Sequence, residues 1–384
     1  MAKVQALSTF NYECDWEKFE ELDNYIEKQR KFGKIPLFVI GAGVSYSKVA
    51  TMNRIFERLK ELLDEFLKKS ELQNGKVKKS AEYALNLVNV LLESKSSRLA
   101  ESSHFFSILQ EELKEHIWKR FTKEFIKNPK LDGASNPTPI YELTPTDFHM
   151  YVAEQIVKRK PPAICVSINY DGLTARAVQK KAIEEHKVKM DKSTQKKKLY
   201  PARVLSSPED IDNFYRNPER DDKIYPVIKL KGDIFYAKCK RNGCEFARDR
   251  IPIYKYYPEN VAKSLDRENI LRCPECESEM ELELDFPGKQ KKEEESRKMI
   301  EKIIQYFLPS ISCVVVCGVS GKWDIELVNF FKICMNKGIK VFNLNINKVD
   351  LMREMGLGEL NPNFEYIKID FTKWKFEVLK TIKS

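Results

Sequence analysis

The chain has 384 residues, with 67 lysines and arginines against 57 aspartates and glutamates, so its formal net charge is +10. Hydrophobic residues make up 42% and charged residues 32%, which excludes a disordered chain, and no apolar run reaches the roughly 18 residues of a membrane-spanning helix. We expect a globular protein of two or three modules, in the cytosol because the N-terminal segment lacks a signal-peptide core.

Short apolar runs mark the predicted strands. The first covers residues 36–43 and ends in glycines, as a buried parallel strand does where it meets a phosphate-facing turn. Five further runs occupy residues 163–169, 225–230, 312–317, 340–345 and 364–369. Helical patterns lie between them at residues 147–158, 325–335 and 374–382. This alternation predicts an α/β fold with a doubly wound parallel sheet of six strands.

Two interruptions divide this pattern. About 120 residues separate the first two strands and carry amphipathic patterns at residues 53–69, 79–93 and 105–126, which predict a helical insertion. Residues 234–284 have little helical periodicity and contain four grouped cysteines, which indicates a small separate module. The predicted boundaries are 1–50, 147–233 and 286–384 for the α/β domain, 51–146 for the insertion and 234–285 for the module.

Lysine is concentrated in one of two charge runs, at residues 179–198 and 288–298. Both runs are typical of exposed helix or loop. The net charge of +10, spread over the whole chain, is typical of a solvated surface. Direct contact with nucleic acid therefore stays an open alternative.

The nine cysteines are too sparse for a disulfide scaffold and fit a reducing compartment. Four of them form the pattern Cys239-x4-Cys244 followed by Cys273-x2-Cys276. Two close thiolate pairs can share one tetrahedral zinc ion, and charged neighbours argue against the alternative of four unrelated core cysteines. Because four thiolates leave no position for water, we expect a structural zinc.

Glycine turns follow two of the predicted strands. In Gly41-Ala42-Gly43-Val44-Ser45 the missing side chains would let backbone N–H groups approach a pyrophosphate, although a tight turn without a ligand is a rival interpretation. A second glycine end, at residues 317–321, would face the same crevice, since ligands gather at the carboxyl ends of parallel strands.

Polar side chains close the second predicted strand, in the segment Ser-Ile-Asn-Tyr-Asp-Gly at residues 167–172. Strand alternation sends Asn169 and Asp171 toward the same side, where they could hold a ribose, a water molecule or an amide leaving group. The alternative is that both residues cap the helix that begins near Leu173.

Taken in order, these segments resemble the sirtuin family from about residue 35 to the C-terminus, with the insertion outside the resemblance. The matching elements are the GAG turn, the Pro-Thr-x-x-His segment at residues 145–149, the segment 167–171, Lys231-Gly232, the two cysteine pairs, the loop 318–320 and the strand that ends in Asn345. The resemblance implies a Rossmann-like domain with a four-cysteine zinc ribbon and with NAD+ as substrate.

The resemblance also implies roles for single residues. Asn169 would position water or a ribose hydroxyl, and Asp171 would hold the nicotinamide amide or orient the site. The remaining contacts to the dinucleotide would come from Gly41, Ala42, Gly43 and Ser45 at the pyrophosphate, from Ser167, Gly318 and Ser320 around the nucleotide, and from Asn345 at the adenine ribose.

Two departures from the family pattern refine the expected activity. Protein deacetylases of the family continue the GAG turn with a Gly-Ile-Pro-x-Phe-Arg segment, which this chain lacks at residues 46–53, so deacetylation is disfavoured. The segment 167–172 and Gly232-Asp233 resemble instead the bacterial antiphage-defence branch, whose members hydrolyse NAD+. The implied function is an NAD+ hydrolase that releases nicotinamide and ADP-ribose and defends by NAD+ depletion.

The second departure is Lys231, which stands where the family has its catalytic histidine. Lysine normally carries a positive charge at neutral pH. A positive charge is unfavourable beside a sugar that gains oxocarbenium character. Three roles stay open for Lys231: a base activated by its surroundings, a phosphate contact, or a residue of an inert site. If the site is inert, the rival function is a catalytically silent scaffold that binds NAD or ADP-ribose. We expect His104, His116, His149 and His186 to be structural or exposed.

The resemblance finally implies an assembly. An NAD+ hydrolase endangers its own cell and needs a trigger, and chains of this branch without a sensor domain pair with a partner such as a HerA-type hexameric ATPase. We expect a homo-oligomer, formed through the helical insertion, and no membrane partner.

Overall fold

The fold alternates strands and helices along most of the chain. The computed structural model describes residues 14–69, 75–94, 99–139, 142–169, 171–186, 202–217, 224–231, 236–244, 247, 251–252, 271–273, 275–282, 290–320, 325–346, 349–356, 361–375 and 377–379. The strands are β1 Ile35–Ile40, β2 Ile164–Ser167, β3 Ala202–Leu205, β4 Tyr225–Lys229, β5 Tyr236–Cys239, β6 Ile251–Pro252, β7 Leu271–Arg272, β8 Glu279–Leu282, β9 Ile311–Cys317, β10 Lys340–Asn345 and β11 Phe364–Lys368.

The helices flank the larger of two sheets. They are α1 Trp16–Arg30, α2 Ala42–Ser45, α3 Met52–Lys69, α4 Gly75–Glu93, α5 Leu99–Glu111, α6 Lys119–Lys127, α7 Asp147–Val157, α8 Leu173–His186, α9 Pro208–Tyr215, α10 Gln290–Phe307, α11 Ile325–Asn336 and α12 Val349–Met355, with a π-helical turn at Lys114–Trp118 and a 3-10 turn at Leu308–Ser310. Among the described helices, none combines the length and the apolar character needed to cross a membrane.

The larger sheet has seven described strands in the order β11-β10-β9-β1-β2-β4-β3, all parallel. Every residue of β9 is buried, and so is all of β1 except its first residue, because helices cover both faces of the sheet. The predicted mixed α/β fold with a parallel sheet is thereby confirmed. The predicted strand count was too low by one. The missed strand, β3, has only four residues and exposes Arg203, so it lacks a continuous apolar run.

Helix prediction succeeded for only some of the described helices. Helices α7 and α11 lie where predicted, whereas α1 and α9 were missed. The Ser207 side chain caps α9, and Pro208 occupies its first position, so a start signal was present in the sequence. Of the helix predicted over residues 374–382, residues 377–379 are helical, residues 374–375 are not, and the rest lies outside the described residues.

Helices α3 to α6 lie in the segment predicted as an insertion and pack around a hydrophobic cluster that also includes Leu173 of α8. The predicted helix over residues 105–126 is divided by the π-helical turn into the end of α5 and the start of α6. Arg58 on α3 donates to both carboxylate oxygens of Glu124 on α6, at 2.6 and 2.9 Å. Close to the sheet, the Lys48 ammonium donates to Thr144 Oγ1 at 3.0 Å and the Ala50 amide to the Pro129 carbonyl at 2.7 Å, so the two ends of the insertion are bound together.

Buried polar contacts fix α7 against α1. Asp23, which is 1% exposed, accepts hydrogen bonds from the Tyr151 hydroxyl at 2.5 Å and from Gln155 Nε2 at 3.3 Å. Arg30 donates to Gln155 Oε1 at 2.6 Å. Buried polar groups are costly unless they are paired, so this network specifies one position for α7 on the sheet.

The strand order reverses between β1 and β9. From β1 the chain continues to β2 on one side, and from β9 it continues to β10 on the other side. In open α/β sheets, the carboxyl ends of the two strands at such a reversal enclose the usual ligand crevice. The candidate site therefore lies where β1 and β9 end, at Gly41 and Gly318.

Asn343 on β10 offers a test of core energetics. Its side chain is fully buried between Val316 and Tyr366 of the neighbouring strands, and neither polar atom of its amide has a hydrogen-bond partner among the described residues. We predict that Asn343→Val raises the free energy of unfolding by about 1 kcal/mol, because it removes an unsatisfied buried amide from a strand. Urea titration measures the change.

Asn363 provides the matched control. Its Nδ2 donates to the Met335 carbonyl at 3.0 Å, so Asn363→Val should lower stability where Asn343→Val raises it. A loss of stability in both variants would contradict the interpretation of Asn343.

Candidate functional site

The turns that follow β1 and β9 pack backbone against backbone. The Gly41 amide donates to the Cys317 carbonyl at 2.8 Å, and the Gly43 amide donates to the Gly318 carbonyl at 3.0 Å. A Cβ atom on Gly41 would lie 2.6 Å from Gly318 O, and one on Gly43 would lie 2.7 Å from Gly318 Cα. Gly318 itself has a φ of +64°. Glycine is therefore required at all three positions because any side chain would overlap the opposite turn.

This contact differs from the role predicted for the glycines. Their missing side chains make room for the other turn, and carbonyls of residues 317 and 318 already accept from the amides of Gly41 and Gly43. These two amides do not face a pyrophosphate. A phosphate at this edge would have to meet other groups, such as those of half-buried Ala42 and exposed Ser320.

Asn169 lies beside the turn that follows β1. It is 3% exposed, and its Nδ2 donates to Gly41 O at 3.0 Å and to Ser45 Oγ at 3.1 Å. Its backbone amide donates to Ser167 Oγ at 3.4 Å, and its backbone carbonyl accepts from the Lys229 ammonium. Its Oδ1 is buried and has no partner among the described residues. Within the part of the chain that the structure describes, Oδ1 is thus the one polar atom of Asn169 left for a ligand.

His149 is fully buried under the same turn, where the sequence led us to expect a structural or exposed histidine. It occupies the third position of α7 in a capping box with Thr146. The Thr146 amide donates to Nδ1 at 3.2 Å, which places the ring proton on Nε2, 3.4 Å from Ser45 Oγ. Burial, with smaller contributions from Lys48 and Lys229, lowers the pKa of His149 to about 3, so the ring is neutral at physiological pH.

Ser45 is consequently an acceptor in this cluster. Its hydroxyl oxygen lies within hydrogen-bond distance of the Nε2 proton of His149 and receives a hydrogen bond from Asn169 Nδ2. A hydroxyl oxygen accepts two bonds and donates one, so the inward side of Ser45 is saturated. Neutral donors thus fix the serine and the asparagine to each other without any buried charge pair.

Lys229 is the site residue that sequence reasoning missed. It is the last residue of β4, pairs in register with Ser167 and is 1% exposed. The only sequence signal was a lysine inside an otherwise apolar strand. Lys231, which the sequence analysis singled out, is half-buried two residues further on. Tyr170, Gly232 and Asp233 lie outside the described residues.

The remaining predicted site residues make local contacts. Asp171 Oδ1 accepts from the amide of Leu173, the first residue of α8, at 2.9 Å, which is the contact expected from the capping alternative. Asn345 Nδ2 donates to the Val319 carbonyl at 3.1 Å and so joins the end of β10 to the loop after β9. His104 and His116 are exposed on the insertion, and the side chain of His186 lies outside the described residues.

Of the four grouped cysteines, Cys239 ends β5 and the other three lie in turns beside the strands of the smaller, antiparallel sheet, whose described strands have the order β6-β5-β8-β7. Their sulfur atoms all lie within 4.8 Å of one another, with Cys239 Sγ 3.5 Å from Cys276 Sγ and Cys244 Sγ 3.7 Å from Cys273 Sγ. A tetrahedron of sulfurs about 2.3 Å from a zinc ion has edges of about 3.8 Å. The four thiols could therefore hold a metal ion such as zinc.

No protein-family model matches the chain, and no curated protein matches it. The function has to be argued from the residues at the strand ends. The sirtuin resemblance stays a prediction.

The contact between the two turns can be tested at Gly318. We predict that Gly318→Ala lowers the free energy of unfolding by about 3 kcal/mol, because the new Cβ adds an overlap to a left-handed backbone conformation. Gly338→Ala is the matched control, since Gly338 has a φ of +75° and nothing lies within 4 Å of its Cβ position. That variant should lose only about 1 kcal/mol in urea unfolding. Equal losses would show that the contact between the turns contributes nothing.

Proposed function

We propose that the protein binds NAD+ at the carboxyl edge of β1, β2 and β9 and hydrolyses its nicotinamide–ribose bond to give nicotinamide and ADP-ribose. The observation that carries the proposal is the buried, unpartnered Oδ1 of Asn169, located next to the turns at the strand-order reversal. The sirtuin resemblance supplies the substrate class. The segments that it assigns to the dinucleotide end neighbouring strands and contact one another.

The role assigned to Asn169 follows from its Oδ1 atom, which has no hydrogen-bond partner among the described residues. Since Nδ2 is occupied by Gly41 and Ser45, the carboxamide can act on a substrate only as an acceptor. In the proposed reaction, Oδ1 accepts a hydrogen bond from the attacking water or from a ribose hydroxyl. The water oxygen bonds to the anomeric carbon, the glycosidic electron pair leaves with nicotinamide, and the water proton passes to solvent. Catalysis then depends on positioning and on preorganised surroundings.

Lys231 fits substrate binding better than proton transfer in this scheme. The ribose gains positive charge as nicotinamide leaves, so a nearby ammonium disfavours the transition state. The same ammonium favours the negatively charged pyrophosphate. We therefore assign Lys231, at the carboxyl end of β4, to a phosphate contact. The absence of a histidine at this position also keeps the rival function, a silent NAD- or ADP-ribose-binding scaffold, in view.

Asn169→Ala tests the proposed activity. We predict that nicotinamide release, followed by chromatography, falls by about 100-fold because the group that positions the nucleophile is lost. Binding of ADP-ribose, measured by calorimetry, should stay within about threefold, since most of the contacts to the dinucleotide come from other residues. Asn363→Ala, at the opposite edge of the sheet, is the control and should keep full activity.

The unmutated protein decides between the two functions. It should be assayed alone and together with the product of the neighbouring gene. Binding of NAD+ without turnover in both assays would favour the scaffold over the hydrolase. Neither binding nor turnover would contradict both functions.

We further propose that the cysteine cluster holds a structural zinc ion. The sulfur separations fit a tetrahedral site, and four thiolates complete the coordination, which leaves no position for a catalytic water. Bound zinc would join the turn after β5 to the turns beside β7 and β8, and would supply folding energy to a sheet with very short strands.

Metal analysis tests this proposal. We predict about one zinc per chain in purified protein, and loss of the ion with a melting temperature at least about 5 °C lower in Cys273→Ser. Cys334→Ser, a buried cysteine outside the cluster, should keep its zinc. Zinc-free protein with an unchanged melting temperature would refute the structural role.

The homo-oligomer, the HerA-type partner and the role in antiphage defence remain proposals that rest on the sirtuin resemblance alone.

A further inference from the structure

Lys229 carries a charge that is almost completely removed from solvent, with 1% of the residue exposed. Burying an ammonium is costly unless hydrogen bonds satisfy it. Lys229 is also the last residue of β4, and its two neighbours in the sequence, Ile228 and Leu230, are apolar and buried. A neutral side chain would fit such a position with less cost, so the ammonium needs a specific explanation.

The contacts of Lys229 point to Asn169. The Lys229 ammonium donates to the Asn169 backbone carbonyl. Two further titratable groups are close enough for the ammonium to affect their pKa, Cys165 on β2 and His149 on α7. Burial raises the pKa of Cys165 to about 12 and Lys229 partly offsets that rise, while the ammonium helps to lower the pKa of His149. The contact with the Asn169 carbonyl places the ammonium beside the chain that follows β2.

Three of the four polar groups of Asn169 are held by protein. Ser167 Oγ accepts from its backbone amide, Gly41 and Ser45 accept from Nδ2, and Lys229 donates to its carbonyl. The Ser167 contact restrains the backbone on one side of the Cα atom and the Lys229 contact restrains it on the other. The two Nδ2 hydrogen bonds orient the carboxamide on this restrained backbone, and together the contacts fix the direction of Oδ1.

We propose that Lys229 is a positioning residue that fixes the Asn169 peptide so that Oδ1 faces the substrate. The inference deepens the proposed NAD+ hydrolysis and, in its kinetic test, rests on it. Lys229 touches no substrate in this assignment, since it is buried behind the residue that does. A purely structural lysine would stabilise the fold but would not separate kcat from KM.

The kinetic test compares substitutions at Lys229. In Lys229→Met, which removes the donor at similar length, kcat for nicotinamide release should fall by about 10-fold or more while KM for NAD+ stays within about threefold. Lys229→Arg keeps a donor and should recover at least part of the lost kcat. Lys340→Met is the matched control, a strand lysine at the opposite edge of the sheet, and should keep full activity. A folded Lys229→Met protein with unchanged kcat would overturn the assignment.

A second measurement does not depend on activity. In protein labelled at asparagine with nitrogen-15, the two Nδ2 protons of Asn169, assigned through Asn169→Ala, should give one sharp pair of signals. Lys229→Met should broaden or shift this pair, and Lys340→Met should not. If the unmutated protein releases no nicotinamide, the proposed function fails while this readout still decides the role of Lys229. An unchanged Asn169 pair in Lys229→Met would refute the positioning role. If Lys229→Met does not fold, Lys229→Arg replaces it in this measurement. Wild-type signals in Lys229→Arg would then support the positioning role, and a broadened pair would contradict it.

Discussion

The contact between the two glycine turns is the constraint on which the candidate site depends. Gly41 and Gly43 meet Gly318 so closely that no side chain fits between them. This brings the ends of the two central strands together at the reversal of strand order. Asn169 then binds to the Gly41 carbonyl and to Ser45, one turn further along. The glycines thus bring the strand ends together, and the residues around them supply the polar atoms.

Much of the fold could be predicted from the sequence because the apolar runs of a parallel sheet are local signals. The long helices of the insertion and the cysteine spacing are local in the same sense. Strand β3 was missed since its four residues, of which only the first and the last are buried, carry little periodicity. Helix α1 is fixed against α7 by a buried hydrogen-bond network. That network joins residues more than 100 positions apart, so it gave no local signal for the helix.

The site was less predictable than the fold, since its chemistry depends on burial. The sequence drew attention to Lys231 by comparison with a family pattern, whereas the fully buried lysine is Lys229. It also suggested that Asn169 and Asp171 act together. In the structure Asp171 accepts from the first residue of α8, whereas Asn169 Oδ1 has no hydrogen-bond partner among the described residues. Nothing in a linear sequence separates two residues that share a strand end but differ in their tertiary neighbours.

The helical insertion departs from the sheet immediately after α2 and returns immediately before the cap of α7. Its two roots are tied by the bonds from Lys48 to Thr144 and from Ala50 to Pro129. Ser45 and His149 therefore lie beside the two ends of the insertion. A displacement of the distal helices would reach the Ser45–His149 contact through only a few residues of chain.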